Sequence, residues 1–484
     1  MESWDVVVLG AGPAALRAAI ACADSETVPL MIDKSGIGSA SGESPLAGLA
    51  ASIDELDSSA HLDDTITAGG ETTDSAAAAR TCEEGVSTLA ELERWGLVLR
   101  RREGGIPHAS SAPGHSVARL TGCGDSTVRE ITRVLEEQAI KRGVRRRSDT
   151  LPIQLVCDNH QVRGVITLNI LTGQIEPIQA KAVILATEGH QGLWSTPSNG
   201  HGTGSALALA AGIQLRGLVS TPRHPLTVRD CDMHIPLDVL GSGGRIRREN
   251  GEDVGPEAVL AGESCVLDLR GIDSDSEPWF SQTASRVKDR LGIDTSRDVI
   301  PISAGVAATT GGAPSDEFGR VTFDGFTPEG LPGKMWLTGL YAAGRSAHNG
   351  MHGGGMLSGN LLLDDLVSGK TTGTHSAMWA RETQFGGASC ISESEDSASK
   401  RIESLQSPNG LPLGRAASRL VSAMCSVNGA NDAAVLATAQ NSIREIQEEG
   451  IRVTDNSPAM NTELTSALQL EGLISIAESI VDTG

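Results

Sequence analysis

Three small residues near the N-terminus have the spacing of a phosphate-binding turn. Gly10, Gly12 and Ala15 form a GxGxxA pattern between an apolar run, residues 5 to 10, and an alanine-rich segment of helical composition. Because side chains are absent or small there, a pyrophosphate can approach the backbone N–H groups at the start of the helix. Asp33 ends the next apolar run, where a carboxylate can accept hydrogen bonds from ribose hydroxyls. The sequence therefore predicts a βαβ unit that binds a dinucleotide.

A second buried run, "AVILATEGH", indicates which dinucleotide this is. It ends in a small-residue turn that contains Thr187 and Gly189. Such a turn typically returns to the nucleotide site from the other side of the sheet, and this arrangement favours FAD.

The glycine-rich stretch "GLYAAGRSAHNGMHGGGMLSGNLLLDDLVSGK" supplies a third approach to the same site. A predicted strand delivers Gly344 and Arg345, and a glycine-rich loop then leads into a helix that begins near Ser358 and Asn360. A helix N-terminus carries partial positive charge, so it can stabilise the negative charge of a reduced flavin ring. The predicted FAD-binding residues are Gly10, Gly12, Ala15, Asp33, Lys34, Thr187, Gly189, Gly344, Arg345, Ser358 and Asn360.

The chain of 484 residues is longer than one hydrophobic core usually supports, so several domains are expected. Alternating apolar and polar residues before residue 182 predict an antiparallel meander, and short strands with polar loops predict an inserted domain. A Ser/Thr/Gly-rich linker is predicted over residues 371 to 398. The predicted fold is α/β: a discontinuous Rossmann-like domain (1–215 and 321–375), an inserted α+β domain (216–320), and a linker with a helical C-terminal domain (376–484).

Net charge, apolar runs and cysteine spacing argue against several classes of partner and of metal site. The formal charge of -22 opposes attraction to nucleic acid and to anionic membranes. No run of 18 apolar residues suggests a membrane span, and no basic, apolar leader opens the sequence. The eight cysteines include no CxxC pair, which argues against an iron–sulfur cluster held by this chain. We therefore expect a cytoplasmic protein without nucleic-acid partners and without direct membrane insertion.

The chain resembles the flavoprotein subunits of succinate dehydrogenase and fumarate reductase, a group that includes L-aspartate oxidase. The resemblance rests on "VVVLGAGPAALRAAI", "LTGCGDSTVREI", "NGHGTGSALALAAG", "RHPLT", "TTGGAPSDEFGRV" and the glycine-rich stretch above. It implies an inserted domain that caps the flavin, and hydride transfer between flavin N5 and a dicarboxylate. It also implies an iron–sulfur partner subunit and a position at the inner face of a membrane through partner subunits.

Two histidines match the substrate positions of this family, whereas several of its cationic positions do not match. His224 in "RHPLT" and His352 in "GMHGGG" are the candidate catalytic residues. Met356 stands where an arginine is usual, and Ala307 stands where a histidine is usual. Residues 254 to 264, where a proton-delivering arginine is expected, contain no arginine, lysine or histidine.

A buried dicarboxylate without cationic partners carries a desolvation cost, so the usual clamp cannot be assumed. Arg223, Arg229, Arg245 and Arg345 are the candidate substitutes. Arg345 can also be interpreted as a flavin-phosphate contact or a structural contact, because the family usually has a glutamate there, near the ribityl chain. Three hypotheses remain open: a dicarboxylate oxidoreductase, an enzyme for L-aspartate or a less charged alkene, and a flavin-binding subunit without turnover.

The way in which the flavin is held can also be predicted. In membrane-associated members of the family, a histidine shortly after the second strand is bonded to the flavin. The corresponding segment here, residues 33 to 51, contains no histidine, cysteine or tyrosine. We therefore expect non-covalent FAD.

Overall fold

The protein is described by a computed structural model that covers residues 1–36, 46–51, 57–194, 200–218, 221–326, 330–427 and 432–483. In chain order the strands are β1 (Glu2–Leu9), β2 (Leu30–Ile32), β3 (Leu49–Ala50), β4 (Leu120–Thr121), β5 (Arg145–Arg147), β6 (Thr150–Asp158), β7 (Gln161–Asn169), β8 (Ile175–Leu185), β9 (Arg223–Val228), β10 (Arg245–Arg248), β11 (Asp253–Val254), β12 (Cys265–Asp268), β13 (Ile300–Val306), β14 (Ala313–Pro314), β15 (Arg320–Phe326), β16 (Pro332–Ala342), β17 (Ala347–His348), β18 (Leu411–Pro412) and β19 (Ile451–Arg452).

The helices, again in chain order, are α1 (Pro13–Asp24), α2 (Ser58–Gly69), α3 (Ser75–Glu83), α4 (Gly85–Arg94), α5 (Thr127–Lys141), α6 (Thr203–Ala210), α7 (Pro256–Leu260), α8 (Ser281–Leu291), α9 (Asn360–Glu382), α10 (Ser389–Leu405), α11 (Leu413–Val427), α12 (Ala433–Glu449) and α13 (Thr462–Thr483).

The largest sheet carries the predicted nucleotide-binding unit. Its strand order is β15-β16-β7-β8-β1-β2-β5, with β6 paired to β7. β1 pairs in parallel with β2 and β8, and its residues Val6 to Leu9 are fully buried, as expected for a strand covered on both faces. β6, β7 and β8 pair antiparallel, so the predicted meander is confirmed.

The predicted linker over residues 371 to 398 is wrong, because most of it is helical. α9 continues to Glu382 and α10 begins at Ser389, so the predicted boundary at residue 375 cuts through α9. One of the small residues that suggested a linker, Gly373, faces α1 instead, as does the preceding Gly369. A Cβ on Gly369 would lie 2.5 Å from the Ala14 carbonyl oxygen, and one on Gly373 would collide with the Ala18 carbonyl oxygen. Glycine is required there because the two helices pack with their backbones nearly in contact.

The inserted domain has a sheet of its own, with strand order β11-β10-β12-β13-β9. β10 and β11 form the hairpin predicted from "GSGGRIRRENGED". A separate apolar cluster that includes Leu226, Leu267 and Ile300 fills one face of this sheet. Its strands lie between residues 223 and 306, inside the range predicted from sequence.

The C-terminal helices pack on one another and on the meander. α10 lies against β6, β7 and β8, and α13 lies against α6 and α12. Of the helices in the described ranges, only α13 is long and apolar enough to cross a bilayer, and 67% of that apolar window is buried in the protein. Such burial is also typical of a core helix.

Candidate flavin and substrate site

The glycines at the start of α1 have two different roles. Gly10 has φ +120°, and a Cβ there would collide with the carbonyl oxygen of Ala186 on the neighbouring strand, so Gly10 is required by the fold. Gly12 precedes α1, and a Cβ there would have no atom within 4 Å. Ala15 is fully buried in the first turns of the helix. The open space beside Gly12, at a helix N-terminus, fits a pyrophosphate.

Asp33 and Lys34 follow β2, but their side chains have different surroundings. Asp33 Oδ2 accepts a hydrogen bond from the Ser35 N–H at 3.0 Å, and burial raises the pKa of Asp33. Lys34 Nζ lies 3.1 Å from His201 Nδ1 and 3.6 Å from Glu188 Oε1. Burial opposes ionisation of Glu188, yet Lys34 and His201 hold the pKa of Glu188 below its ordinary value. Lys34 therefore also has a structural role, since it compensates a buried carboxylate.

The turn after β8 is tied to the turn after β16. The Thr187 N–H donates to Ser346 Oγ at 2.9 Å, and Thr187 Oγ1 accepts from the Gly204 N–H at 2.8 Å. A Cβ on Gly189 would collide with Thr309 Oγ1, and one on Gly344 would lie 2.5 Å from Asp365 Oδ1. These small residues bring β8, β16 and the first turns of α6 and α9 close together.

The start of α9 is fixed by side chains from α2. Asn360 is fully buried; its Nδ2 donates to Thr65 Oγ1 at 2.8 Å, and its Oδ1 accepts from His61 Nε2 at 2.7 Å. Gly359, with φ +81°, forms the cap that precedes the helix. The Asn360 side chain is thus used within the protein, and its role at the predicted flavin site is to set where α9 begins.

A charged network below the start of α9 was missed in the sequence. Arg119 is completely buried; its guanidinium pairs with Asp57 at 3.1 Å and with Asp64 at 2.6 Å. His115 Nδ1 lies 2.7 Å from Arg119, and its Nε2 donates to the Ser358 carbonyl at 2.9 Å. The available signal was the four-residue spacing of His115 and Arg119. Nothing local in the sequence shows their contact with Ser358.

A cavity of about 270 Å³ opens between the start of α9 and the inserted domain. Of the described residues that line it, three are ionisable: Arg223, His224 and Arg345. Two positions at which the sequence differs from the family pattern, Ala307 and Met356, both line this cavity. The segment without cationic residues also reaches it, through Pro256 and Leu260 on α7. Ser358 and Gly359 complete the wall at the start of α9.

His224 contributes a neutral ring to this cavity. It lies on β9 and is 6% exposed, and its Nε2 donates to the Ile235 carbonyl at 2.7 Å. Burial, together with the neighbouring His234, lowers the pKa of His224 to about 3. At neutral pH the ring can therefore take part in hydrogen bonds but brings no positive charge.

His352 lies in the glycine-rich turn that precedes α9. It is 6% exposed, and its Nε2 lies 3.4 Å from Asp364 Oδ2. Neither ring nitrogen has a hydrogen-bond partner within the described part of the chain. His224 lines the cavity, whereas His352 is not among the described residues that do so. The shared pocket of the two histidines is therefore still a prediction.

Arg345 lies between the cavity and α9. Its side chain is 11% exposed, and its guanidinium lies 3.6 Å from Asp365 Oδ2, a carboxylate that is also buried. Arg229 and Arg245 are engaged on the inserted domain: Arg229 donates to Ser264 Oγ at 2.9 Å, and Arg245 pairs with Asp253 at 3.2 Å. The cations that line the cavity are thus Arg223 and Arg345.

The residues present fit an FAD. Open space beside Gly12 lies at one helix N-terminus, Asp33 follows the second strand, and a second helix, α9, begins at the cavity wall. These are the features needed for a pyrophosphate, a ribose and an electron-rich ring, respectively.

Comparison with known proteins agrees with this interpretation. A family model described as FAD binding domain matches residues 5–362, and one described as fumarate reductase flavoprotein C-term matches residues 419–484. The fumarate reductase flavoprotein subunit of Mycobacterium tuberculosis (strain CDC 1551 / Oshkosh) is 26% identical over 99% of this chain and 89% of its own. The L-aspartate oxidase of Streptomyces coelicolor is 28% identical over 75% of this chain and 66% of its own.

A solved chain of E. coli quinol fumarate reductase shares the fold. Its TM-score is 0.89 at 21% identity, and the match covers 100% of this chain and 89% of that one. The predicted fold class is confirmed by this likeness. The chain belongs to the FAD binding domain family, in the group of the succinate dehydrogenase and fumarate reductase flavoprotein subunits with L-aspartate oxidase, and its cofactor is FAD.

Proposed function

We propose that this chain is an FAD-dependent oxidoreductase that moves a hydride to or from a carbon–carbon bond of a small substrate. One observation carries the proposal: the cavity at the start of α9 is walled on one side by residues of the FAD-binding domain and on the other by the inserted domain. A bound flavin supplies two-electron hydride chemistry. A substrate enclosed between the two domains would be shielded from water.

The chain's own residues have separate tasks in this proposal. The first N–H groups of α9, at Leu361 and Leu362, lie at the cavity wall and favour negative charge there. His224 donates its Nε2–H to the Ile235 carbonyl, so its neutral ring can accept a hydrogen bond from a substrate O–H or N–H through Nδ1. Leu237, Leu260 and Pro256 of the inserted domain exclude water from the reacting atoms. His352, held near Asp364, is the second candidate for substrate contact.

The relatives' names give the first substrates to test: fumarate, succinate and L-aspartate. A dicarboxylate is the predicted substrate class. L-aspartate and a less charged alkene are the alternatives, because arginine is missing at position 356 and histidine at position 307.

An electron-transfer partner is part of the proposal. No group of three or more His, Cys, Asp or Glu side chains that could hold a metal ion occurs among the residues the structure describes. An iron–sulfur subunit would supply the electron path, and partner subunits would place this chain at the inner face of a membrane. Co-purification of an iron-containing protein with the chain from its native host would test this partner.

The experiment for the proposed reaction is spectroscopic. The purified protein should show an oxidised flavin spectrum that bleaches with a substrate, or should oxidise a reduced viologen when an alkene substrate is added. The matched control is protein without FAD. A bound flavin that responds to no compound of the series would favour the third hypothesis, a flavin-binding subunit without turnover.

A further inference from the structure

The cavity described above differs from a dicarboxylate site in how its charge is distributed. Its wall from the inserted domain includes Pro256, Leu260 and Ala307, and the facing wall includes Met356. No aspartate, glutamate or lysine occurs among its described lining residues. An ionised group placed against these walls would lose its hydration without gaining a partner.

The positive charge that remains suits one anionic group and not two. His224 is neutral, because burial and His234 lower its pKa to about 3. The guanidinium of Arg345 already faces the buried carboxylate of Asp365 at 3.6 Å, which offsets its charge. Arg223 is exposed at the edge of the cavity. Water would therefore also reach a substrate group that contacts Arg223.

We infer that the substrate of this site is an alkene conjugated to a carbonyl, or its saturated counterpart, which carries at most one carboxylate and an apolar remainder. The inference rests on the proposed function. In the reducing direction the C=C bond would gain a hydride, which a bound reduced flavin would supply, and a proton from solvent water, and would become CH–CH. The two electrons would come from two molecules of reduced viologen in the assay.

The single carboxylate or carbonyl would be held near Arg223, because His224 donates its Nε2–H to the Ile235 carbonyl and its Nδ1 can only accept a hydrogen bond. The apolar remainder would contact Leu260 and Met356, where burial of apolar surface is favourable. A dianion would place its second carboxylate against the same side chains and bind less well. Charge, rather than size, is thus the property that the site selects.

The test compares two compounds with one carbon skeleton, fumarate and its monomethyl ester. FAD-loaded protein and reduced viologen are mixed with each compound, and the saturated product is quantified to exclude addition of thiols. The kcat/KM for the half-ester should exceed that for fumarate by about tenfold or more. A kcat/KM for fumarate equal to or above that for the half-ester would overturn the inference.

Restoring a cation should reverse the preference. Met356→Arg should raise the ratio of fumarate to half-ester kcat/KM by about tenfold, whereas Met356→Leu should keep the half-ester as the better substrate. Leu260→Arg provides the same test at a residue that is 44% exposed, if Met356→Arg does not fold. An unchanged ratio in a folded, FAD-loaded arginine variant would count against the inference.

The two proposals fail in different ways. If neither compound is reduced and no other compound of the series changes the flavin spectrum, the proposed function fails, and the charge inference is then decided by binding alone. Titration of each compound into the FAD-loaded protein gives its dissociation constant from the change in flavin absorbance. Tighter binding of fumarate than of the half-ester overturns the inference, and tighter binding of the half-ester supports it.

Discussion

Asp238 of the inserted domain accepts a hydrogen bond from the backbone N–H of Gly48, with 2.8 Å between Oδ2 and N. The adjacent Leu237 N–H donates to the Leu46 carbonyl at 3.0 Å, so two bonds join the inserted domain to the FAD-binding domain beside the cavity. Burial raises the pKa of Asp238 to about 6, although the Gly48 bond and Arg100 act in the opposite direction. The contact therefore contains an acid that titrates near physiological pH.

The first prediction concerns Asp238→Asn. Because the pKa of Asp238 is higher in the folded protein than its ordinary value of 3.8, its contribution to stability is full below about pH 4 and is lost as pH rises through about 6. Above that pH the wild type buries an ionised carboxylate, whereas asparagine keeps an acceptor without charge. The variant should be more stable than the wild type at pH 8, by up to roughly 3 kcal/mol, and the difference should shrink toward pH 4.

Thermal unfolding of both proteins across this pH range is the measurement. Asp230→Asn is the matched control, because Asp230 is exposed on the same domain and has φ 58°, which asparagine tolerates. A loss of stability in Asp238→Asn that is the same at every pH would contradict the prediction. It would mean that the carboxylate is stabilised by its bond to Gly48 more than it is destabilised by burial.

The second prediction tests the pyrophosphate turn. Gly12→Val should fold normally, because a Cβ there would meet no protein atom within 4 Å, but it should purify without FAD. The reason is that the valine would occupy the space that the phosphate oxygens need. Flavin content is measured from the visible spectrum, and folding from circular dichroism.

Gly414→Val is the control for that variant, since Gly414 also has open space around it and lies in α11, outside the nucleotide-binding segment. It should keep its FAD. A Gly12→Val protein with a full complement of FAD would mean that the nucleotide lies elsewhere.

Local patterns predicted the parts of the fold that depend on neighbouring residues. The glycine turn before α1 and the meander are visible in short windows, because burial on both faces and alternation each leave a periodic trace. Residues 371 to 382 were misassigned because their serine, threonine and glycine content indicated a linker, whereas Gly373 allows close contact with Ala18. That contact joins positions far apart in the chain, so composition alone cannot show it.

The sequence also predicted some residues of the candidate site, but it did not predict their distant contacts. His224 and the altered position Met356 were both identified in the sequence, and the structure brings them to one cavity. The bond between Asp238 and Gly48 spans 190 residues, and that between His61 and Asn360 spans 299. Such partners are set by the packing of the domains, and no local spacing encodes them.

The third prediction concerns His352. His352→Ala should keep its FAD and lower kcat/KM by roughly tenfold or more, which corresponds to the loss of one positioning hydrogen bond of about 1.4 kcal/mol. The buried ring nitrogens, without hydrogen-bond partners in the described ranges, are what a substrate contact would require. His375→Ala is the control, because His375 contacts Tyr341 and Phe318 instead. Unchanged kinetics in His352→Ala would reject its role in substrate binding.

The last prediction is that the FAD is not covalently bound. Residues 33 to 51, where the family resemblance places a flavin-linked histidine, contain no histidine, cysteine or tyrosine. Residues 37–45 of this segment lie outside the described residues, so the prediction rests on sequence there. A covalent link raises the reduction potential of a flavin, and a flavin without one should favour reduction of an alkene over oxidation of its saturated counterpart.

Acid precipitation tests this directly. The denatured, washed pellet should be colourless, and all of the flavin absorbance should appear in the supernatant, because only the folded chain holds the cofactor through the turn at Gly12, Asp33 and the start of α9. Mass spectrometry of the digested pellet is the second measurement. A yellow pellet, or a peptide that carries the mass of the flavin, would show that the chain forms a covalent link and that the prediction is wrong.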